Sequence, residues 1–567
     1  MDYKEEFANI LFNCLNQQIT IQKIKDNIEI PSNNIADLAF TTFFLAKIFK
    51  KNPKDIAEDI IKNISKNSFE QFDIWNINGY VNLKIKPEIL AKQTIEKIIT
   101  LGKNYGKTDI EKKQYVLDEF NLNPLKTFHV GHLRMAAIGN SIYRIYAFMD
   151  QNIKPIYYGG DIGTHVAKWL WYYKSLDNQK QKIPDTNKSK WFGEIYMSAE
   201  KKYSEDPNAE KEIEKLQQEL INNNELQQEL KKLVKESFQG YLEIAQELGI
   251  TLEKYIFESQ AEKKFLEIKN TLLNNYKNII YESDGAIIAD LKKYELGILV
   301  LVKSNGALLY GAKDIGNLLI KKETYPECTN YLYVTDYRQE HYFKQLFKLF
   351  ELLFPETTHI HISHGTVSLT SKAILKSREG NIILYEDFKQ ALQKKIKEIL
   401  KEHNLENDNT TINILMLGII NFEMLKLNTH KNLIFNIDNA LDLNGDTAPY
   451  IQYSGVRAKS ILKKINEEHT KIDNIKIKNI QEEEINLIKK MNELPETVLT
   501  AMKEFKPNVI ANYAIELAHT YNKFYDKHII LCDDQDTQKF RILLTKSFLI
   551  TLENALYLLN MKIPEKM

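Results

Sequence analysis

The segment FNLNPLKTFHVGHLR (120–134) concentrates side chains able to do chemistry. His129 and His132 stand three apart around Gly131. They fall where a polar loop after the strand-like run QYVLDEF (114–120) gives way to an apolar-periodic helix over about 131–149. A helix N-terminus offers unpaired N–H groups and the positive end of a dipole, which suit a phosphate. Imidazoles placed there donate to phosphate oxygens, and Gly131 lets a flat base or ribose approach the backbone. A zinc pair is the competing reading. Zinc takes three or four ligands, and neither a Cys nor a second His pair stands near in the sequence. The segment carries no Walker or GxGxxG pattern. Its residues suit a phosphate-bearing ligand whose base or ribose lies close to the backbone.

The elements that must hold this segment follow from pattern. IKPIYYGGDIGTH (153–165) reads as a strand and a Gly turn, completing a strand–helix–strand unit that opens a doubly wound nucleotide fold. Residues 1–85 form a small α+β domain, and 86–113 a helical linker. Residues 114–385 form a parallel-sheet domain, interrupted at about 174–275 by charged helices that present a solvated face. GAIIADL, LGILVLVK, GALLYGAK and NYLYVTD read as strands, followed by a helix at 340–354 and a strand at 359–367. From about 386 to 567 almost everything reads as helical.

Composition narrows the function. In 567 residues, 76 basic and 76 acidic side chains cancel, which excludes a globally basic nucleic-acid coat; a nucleic-acid surface must be a local patch. No apolar run reaches the ~18 residues of a membrane span, and the acidic, amphipathic N-terminus is neither a secretory signal nor a transit peptide. Three scattered cysteines suit a reducing cytoplasm. Only six of the 76 basic residues are Arg. Lys replaces Arg where a point charge suffices but not where a planar fork is needed. Arg134, Arg144, Arg338, Arg378, Arg457 and Arg541 are therefore candidate special positions.

The segment 120–134 resembles the His-x-Gly-His signature of class I aminoacyl-tRNA synthetases, in the version carried by the arginyl-tRNA synthetase family. GGDIGTH (159–165), ESDGAII (282–288), LLYGAKDIG (308–316) and YVTDYRQ (333–339) resemble further blocks of that family in the same order. So do LNGDTAPYIQYSGVRAKSIL (443–462), ELAHTYNKFYDKHIIL (516–531) and LYLLNMKIPEKM (556–567). The resemblance spans nearly the whole chain. It implies a Rossmann-type catalytic domain, a small N-terminal α+β domain that contacts the tRNA elbow, and an all-α anticodon-binding domain within 386–567. The implied reaction is activation of arginine by ATP, accompanied by Mg²⁺, and transfer to the terminal adenosine of tRNA. Activation would need bound tRNA. No tightly bound cofactor or dedicated metal site is expected, and the chain is expected to be a cytoplasmic monomer.

The resemblance also assigns residues. His129, Gly131, His132, Gly160 and Lys376 would meet ATP. Asn123 and an acid, Asp118 or Glu119, would hold the ammonium and carboxylate end of arginine. Tyr310, Asp314 and Gln339 would receive the guanidinium, for which a carboxylate offers bidentate pairing that a Lys substrate cannot match. Rejection of lysine by an unpaired buried Asp would make editing unnecessary. A strand-end ion pair is the alternative reading of Tyr310 and Asp314. The second signature loop is ILKSREGN (374–381): Ile374 stands where the family's first Lys belongs, leaving Lys376, Ser377 and Arg378. Lys126, three residues before His129, is expected to supply the missing charge. QEHYF (339–343) puts His341 one place earlier than the family's His-Phe pair, so His341 receives no substrate role. Tyr80 and Asn82 would face the tRNA elbow, and Tyr453, Arg457 and Tyr525 the anticodon, where aromatic and basic groups suit splayed bases. Core packing is the alternative for each. Two rival functions stand: another class I synthetase, such as the cysteinyl enzyme with its zinc ligands, and a catalytically silent tRNA-binding paralogue.

Overall fold

A computed structural model describes residues 3–31, 36–64, 66–370, 383–465, 472 and 475–567. They form two compact units. The first joins residues up to Gly102 with Ile465–Asn492 and Lys523–Phe548. Its sheet comprises β1 (Ile28–Glu29), β2 (Leu38–Thr41), β3 (Phe72–Ile77) and β4 (Tyr80–Ile85), antiparallel in the order β1-β2-β4-β3. β3 and β4 meet in a two-residue turn at Asn78 and Gly79, both at positive φ, the residue pair such a hairpin demands. The stretch expected as a linker is a packed helix, Pro87–Leu101. It buries Leu90, Ala91, Ile95 and Ile98 and lies against the helix Glu482–Asn492.

The second unit holds Lys103–Lys464, Glu493–Asn522 and Leu549–Met567. Its centre is a five-stranded parallel sheet. Chain order runs β5 (Gln114–Asp118), β6 (Asn152–Gly159) and β7 (Lys254–Phe257). An antiparallel sheet of β8 (Ile280–Ser283), β9 (Ala286–Asp290) and β10 (Ile298–Val302) intervenes. Then β11 (Asn330–Asp336) and β12 (Thr358–His364) return to the parallel sheet. The spatial order is β12-β11-β5-β6-β7. Strands are laid to one side of β5 and then to the other, so the connections part at β5 and β11. In open α/β sheets the crevice at the carboxyl ends of such strands is where ligands bind. The expected doubly wound sheet is thus observed, and the described part of 451–567 is helical.

Four local expectations change. β7 and the following helix Glu258–Asn275 fall inside the expected insertion yet belong to the core fold: KYIF is a short edge strand lost in charged text. The insertion is also less solvent-faced than its charge suggests, for Trp169, Phe192, Ile213, Leu226 and Leu233 share a buried cluster. GALLYGAK is not a strand. Leu308 makes one bridge to Val302, Leu309 is an extended N-cap, and a helix runs Tyr310–Thr324. Its glycines serve close packing rather than turns: a Cβ on Gly316 would lie 2.0 Å from the Ala261 carbonyl oxygen. Finally, 359–367 is not one strand. β12 ends at His364, and β13 (Val367–Leu369) pairs instead with β14 (Leu433–Phe435). Gly365 permits the break, since a Cβ there would meet the Lys431 carbonyl at 2.5 Å.

No described helix is long and apolar enough to cross a membrane. Gly316→Ala should separate the helices Tyr310–Thr324 and Glu258–Asn275 and destabilise the fold by about 1–3 kcal/mol, the range for overpacking. Chemical denaturation measures this; an unchanged midpoint and slope would contradict the close approach.

Candidate active site

A cavity of about 780 Å³ opens at the carboxyl ends of β5, β6, β11 and β12. Its lining includes Asn123, His129, Gly131, His132, Gly160, Tyr310, Asp314 and Gln339, which the sequence separates by as much as 216 positions. Asp118 lines it as well, whereas Glu119 and Lys126 do not. Lys376, Ser377 and Arg378, with Ile374, lie outside the described residues.

His129 is the N-cap of the helix Val130–Phe148, and the two imidazoles close that end reciprocally. The Gly131 N–H donates to His129 Nδ1 at 3.1 Å, and the His129 N–H donates to His132 Nδ1 at 3.2 Å. The rings stack with centroids 3.8 Å apart. A Cβ at position 131 would lie 2.8 Å from His129 Cε1, so glycine is what lets the first ring fold back. Both Nδ1 atoms accept, which leaves the proton of each neutral ring on Nε2. Burial holds both rings neutral. His129 is lowered to about 4, and His132 falls well below the usual range through burial and its neighbour His129.

The loop before the helix is fixed from three sides. Gly160 N–H donates to Asn123 Oδ1 at 2.9 Å, the Tyr241 hydroxyl donates to the carbonyls of Asn123 and Lys126, and Leu125 N–H donates to Ser237 Oγ. Gly160 is pressed between Asn123 and Glu258: a Cβ there would come within 3.0 Å of both side chains. Lys126 is half-buried, and burial lowers its pKa, with Glu200 and Glu258 opposing. Its charge also bears on His132 and His165.

Four carboxylates line the cavity, and three have cations. Asp118 meets Lys321 at 2.7 Å, both almost fully buried; Glu258 meets Lys313 at 2.8 Å; Asp336 is held bidentately by Arg338. Asp314 has no ion pair among the described residues, only the Tyr342 hydroxyl donating to its Oδ2. Burial raises its carboxyl to about 7, with Tyr342 and Lys321 opposing. Glu258 escaped the sequence reading because it opens a helix inside text taken for an insertion. Its sole signal was position, directly after the apolar pair of β7. Glu119 turns into the core instead, with neither carboxylate oxygen hydrogen-bonded, beneath Gly139 of the signature helix. Burial pushes its carboxyl well above the usual range, Arg144 opposing.

Outside the cavity, Tyr80 is half-buried edge-on against Phe43, and Asn82 is 8% exposed within β4. The Arg457 guanidinium lies over the Tyr453 ring and donates to Asn522 Oδ1 at 3.4 Å; Tyr525 is half-buried. No three His, Cys, Asp or Glu side chains converge as metal ligands among the described residues.

The doubly wound sheet and its His-capped first helix match the family model for tRNA synthetases class I (R), catalytic domain, over residues 94–437. The arginyl tRNA synthetase N terminal domain matches 2–85, and the DALR anticodon binding domain matches 451–567. The chain is 32% identical to the arginine–tRNA ligase of Halothermothrix orenii and 32% identical to that of Alkaliphilus metalliredigens, in each case over 100% of both chains. It superposes on the arginyl-tRNA synthetase of Thermus thermophilus with a TM-score of 0.78 at 22% identity, covering 100% of both chains. For the enzyme of Plasmodium falciparum the TM-score is 0.73 at 23% identity, covering 100% of this chain and 99% of that one. These two structures bear on the fold. The chain belongs to the arginyl-tRNA synthetase family.

The capping geometry makes a direct prediction. Imidazole ¹⁵N shifts at pH 6 should show an unprotonated Nδ1 and a protonated Nε2 for both His129 and His132. A doubly protonated ring at either position would contradict the neutral pair.

Proposed function

We propose that arginine and ATP meet in the cavity at the ends of β5 and β11, with the guanidinium against Asp314. The chain is an arginine–tRNA ligase that forms arginyl-adenylate and pyrophosphate and then esterifies the terminal adenosine of its tRNA, releasing AMP. The observation that carries the placement is the charge pattern: Asp314 is the lining carboxylate without a cation among the described residues. A buried anion gains most from a charged, bidentate partner, and a guanidinium provides one. Tyr310, 68% exposed and one helical turn before Asp314, and Gln339 form walls beside it. At the other end, Asn123 and Asp118 receive the substrate's ammonium and carboxylate. Asp118 is favoured over Glu119 because it lines the cavity and keeps Oδ1 unpaired.

His129 and His132 donate through Nε2 to the phosphates as arginine's carboxylate attacks and pyrophosphate leaves. Gly131 and Gly160 give the nucleotide room. Lys126 adds a point charge where Ile374 replaces a Lys, and Lys376, Ser377 and Arg378 act from the second loop. Mg²⁺ arrives with ATP as part of the substrate. Transfer RNA is bound through Tyr80 and Asn82 at its elbow and through Tyr453, Arg457 and Tyr525 at its anticodon; Asn82 is buried within β4, so half-buried Tyr80 is the more accessible of that pair. The chain acts as a cytoplasmic monomer in this reading, and its three unpaired cysteines suit a reducing compartment.

Asp314→Ala should raise the KM for arginine by 100-fold or more, on the order of 3–5 kcal/mol for a buried charge left without its partner, and spare that for ATP. A change below about threefold would remove Asp314 as the anchor. Lys126→Ala should lower tRNA-dependent pyrophosphate exchange by about 10²-fold or more, the scale for one lost transition-state donor, with arginine KM little changed. Near-normal exchange would refute the compensation for Ile374.

A further inference from the structure

Tyr342 belongs to the helix Glu340–Leu353 and lines the same cavity as Asp314. Its hydroxyl donates to Asp314 Oδ2. The ring is fixed by an aromatic layer: Tyr342 meets Phe343 edge-on at 5.5 Å, and Phe343 stacks on His361 at 4.4 Å. A phenol in this place does what a lysine would not. It stabilises the anion by a charge-assisted hydrogen bond while leaving the negative charge in the cavity.

We propose that Tyr342 is a positioning residue for amino-acid selection, holding the Asp314 carboxylate in one orientation so that its remaining lone pairs face the incoming guanidinium. The proposal rests on the reading of Asp314 as the guanidinium anchor. The groups around Asp314 give it a pH signature. Lys321 on its own helix favours the anion, as does Tyr342. Glu258 from the helix Glu258–Asn275 and Asp118 from β5 disfavour it. Tyr158 of β6 and Tyr333 of β11 also face it, both protonated because burial raises them far above their usual range. Burial and the proximity of Asp314 likewise keep Tyr342 protonated as a donor. The anion binds the cation, so kcat/KM for arginine should rise with pH through about 7. Loss of the Tyr342 donor should move that rise upward.

The test measures kcat/KM for arginine from about pH 6 to 9 in Tyr342→Phe, Asp314→Asn and the double variant of the full chain, with KM for ATP as the control. Tyr342→Phe should raise arginine KM about tenfold or more near neutrality, as expected for one hydrogen bond to a charged group. The deficit should shrink at high pH, and the double variant should be no worse than Asp314→Asn. Replacing Tyr342 by 3-fluorotyrosine, a stronger donor of nearly the same shape, should move the rise downward. If Asp314→Asn raises arginine KM but Tyr342→Phe does not, or if its deficit is equal at every pH, the positioning role is overturned. If fluorination leaves the pH profile where it was, it is likewise overturned. If Asp314→Asn itself leaves arginine KM unchanged, the anchor fails, and the role built on it fails too.

Discussion

Of four carboxylates lining the cavity, three each meet a cation, and among the described residues the fourth does not. Desolvating a carboxylate costs several kcal/mol, and an ion pair with good geometry offsets most of it. The helix Tyr310–Thr324 supplies two of the three cations, Lys313 to Glu258 and Lys321 to Asp118, and also carries Asp314. One helix therefore ties the ends of β5 and β7 beside the cavity and, among the described residues, leaves the half-buried Asp314 carboxylate as the lining acid without an ion pair. Its close seating on the helix Glu258–Asn275, which Gly316 permits, puts both members of the Lys313–Glu258 pair within reach. Fold stability and the proposed substrate selection thus draw on the same helix.

The half proposed to face the phosphates rests on a different device. A helix start without Ser, Thr, Asp or Asn would leave N–H donors unsatisfied. Here two imidazoles satisfy them and, in doing so, fix their own tautomers. The hydrogen bonds that cap the helix also set the tautomers that the proposed chemistry needs. The helix behind them is braced along its length: Ser141 donates to the Leu558 carbonyl, and buried Arg134 donates to the carbonyls of Asn428 and Thr429. Arg134, one of six arginines retained in a lysine-rich chain, makes both contacts through Nη2, while Nε and Nη1 are buried without a hydrogen bond among the described residues, so these contacts do not use its planar fork.

Much of this was legible in sequence where local pattern and fold agree. The signature turn, its strand and its helix follow from the switch of apolar period around FNLNPLKTFHVGHLR, and the family blocks name the cavity residues Asn123, Tyr310, Asp314 and Gln339. What stayed hidden depends on tertiary contact. β7 is four residues long and pairs only at the sheet edge, so charged neighbours masked it, and Glu258 with it. The glycines of LLYGAKDIG look like strand or turn punctuation until the neighbouring helix is in place. Asp118 and Glu119 are adjacent acids with opposite fates, because alternation along the strand end sends one to the cavity and the other beneath Gly139. No one-dimensional reading predicts which cations cancel which anions, and that cancellation is what singles out Asp314.

The central claim is that one uncancelled charge selects the substrate. It is tested most directly by equilibrium binding of arginine and of citrulline, its neutral isostere, to the tRNA-bound protein and to its Asp314→Asn variant. The unaltered chain should bind arginine at least about 100-fold more tightly, the scale of a desolvated charge pair, and the variant should bring that ratio close to one. A ratio that survives Asp314→Asn would contradict the account.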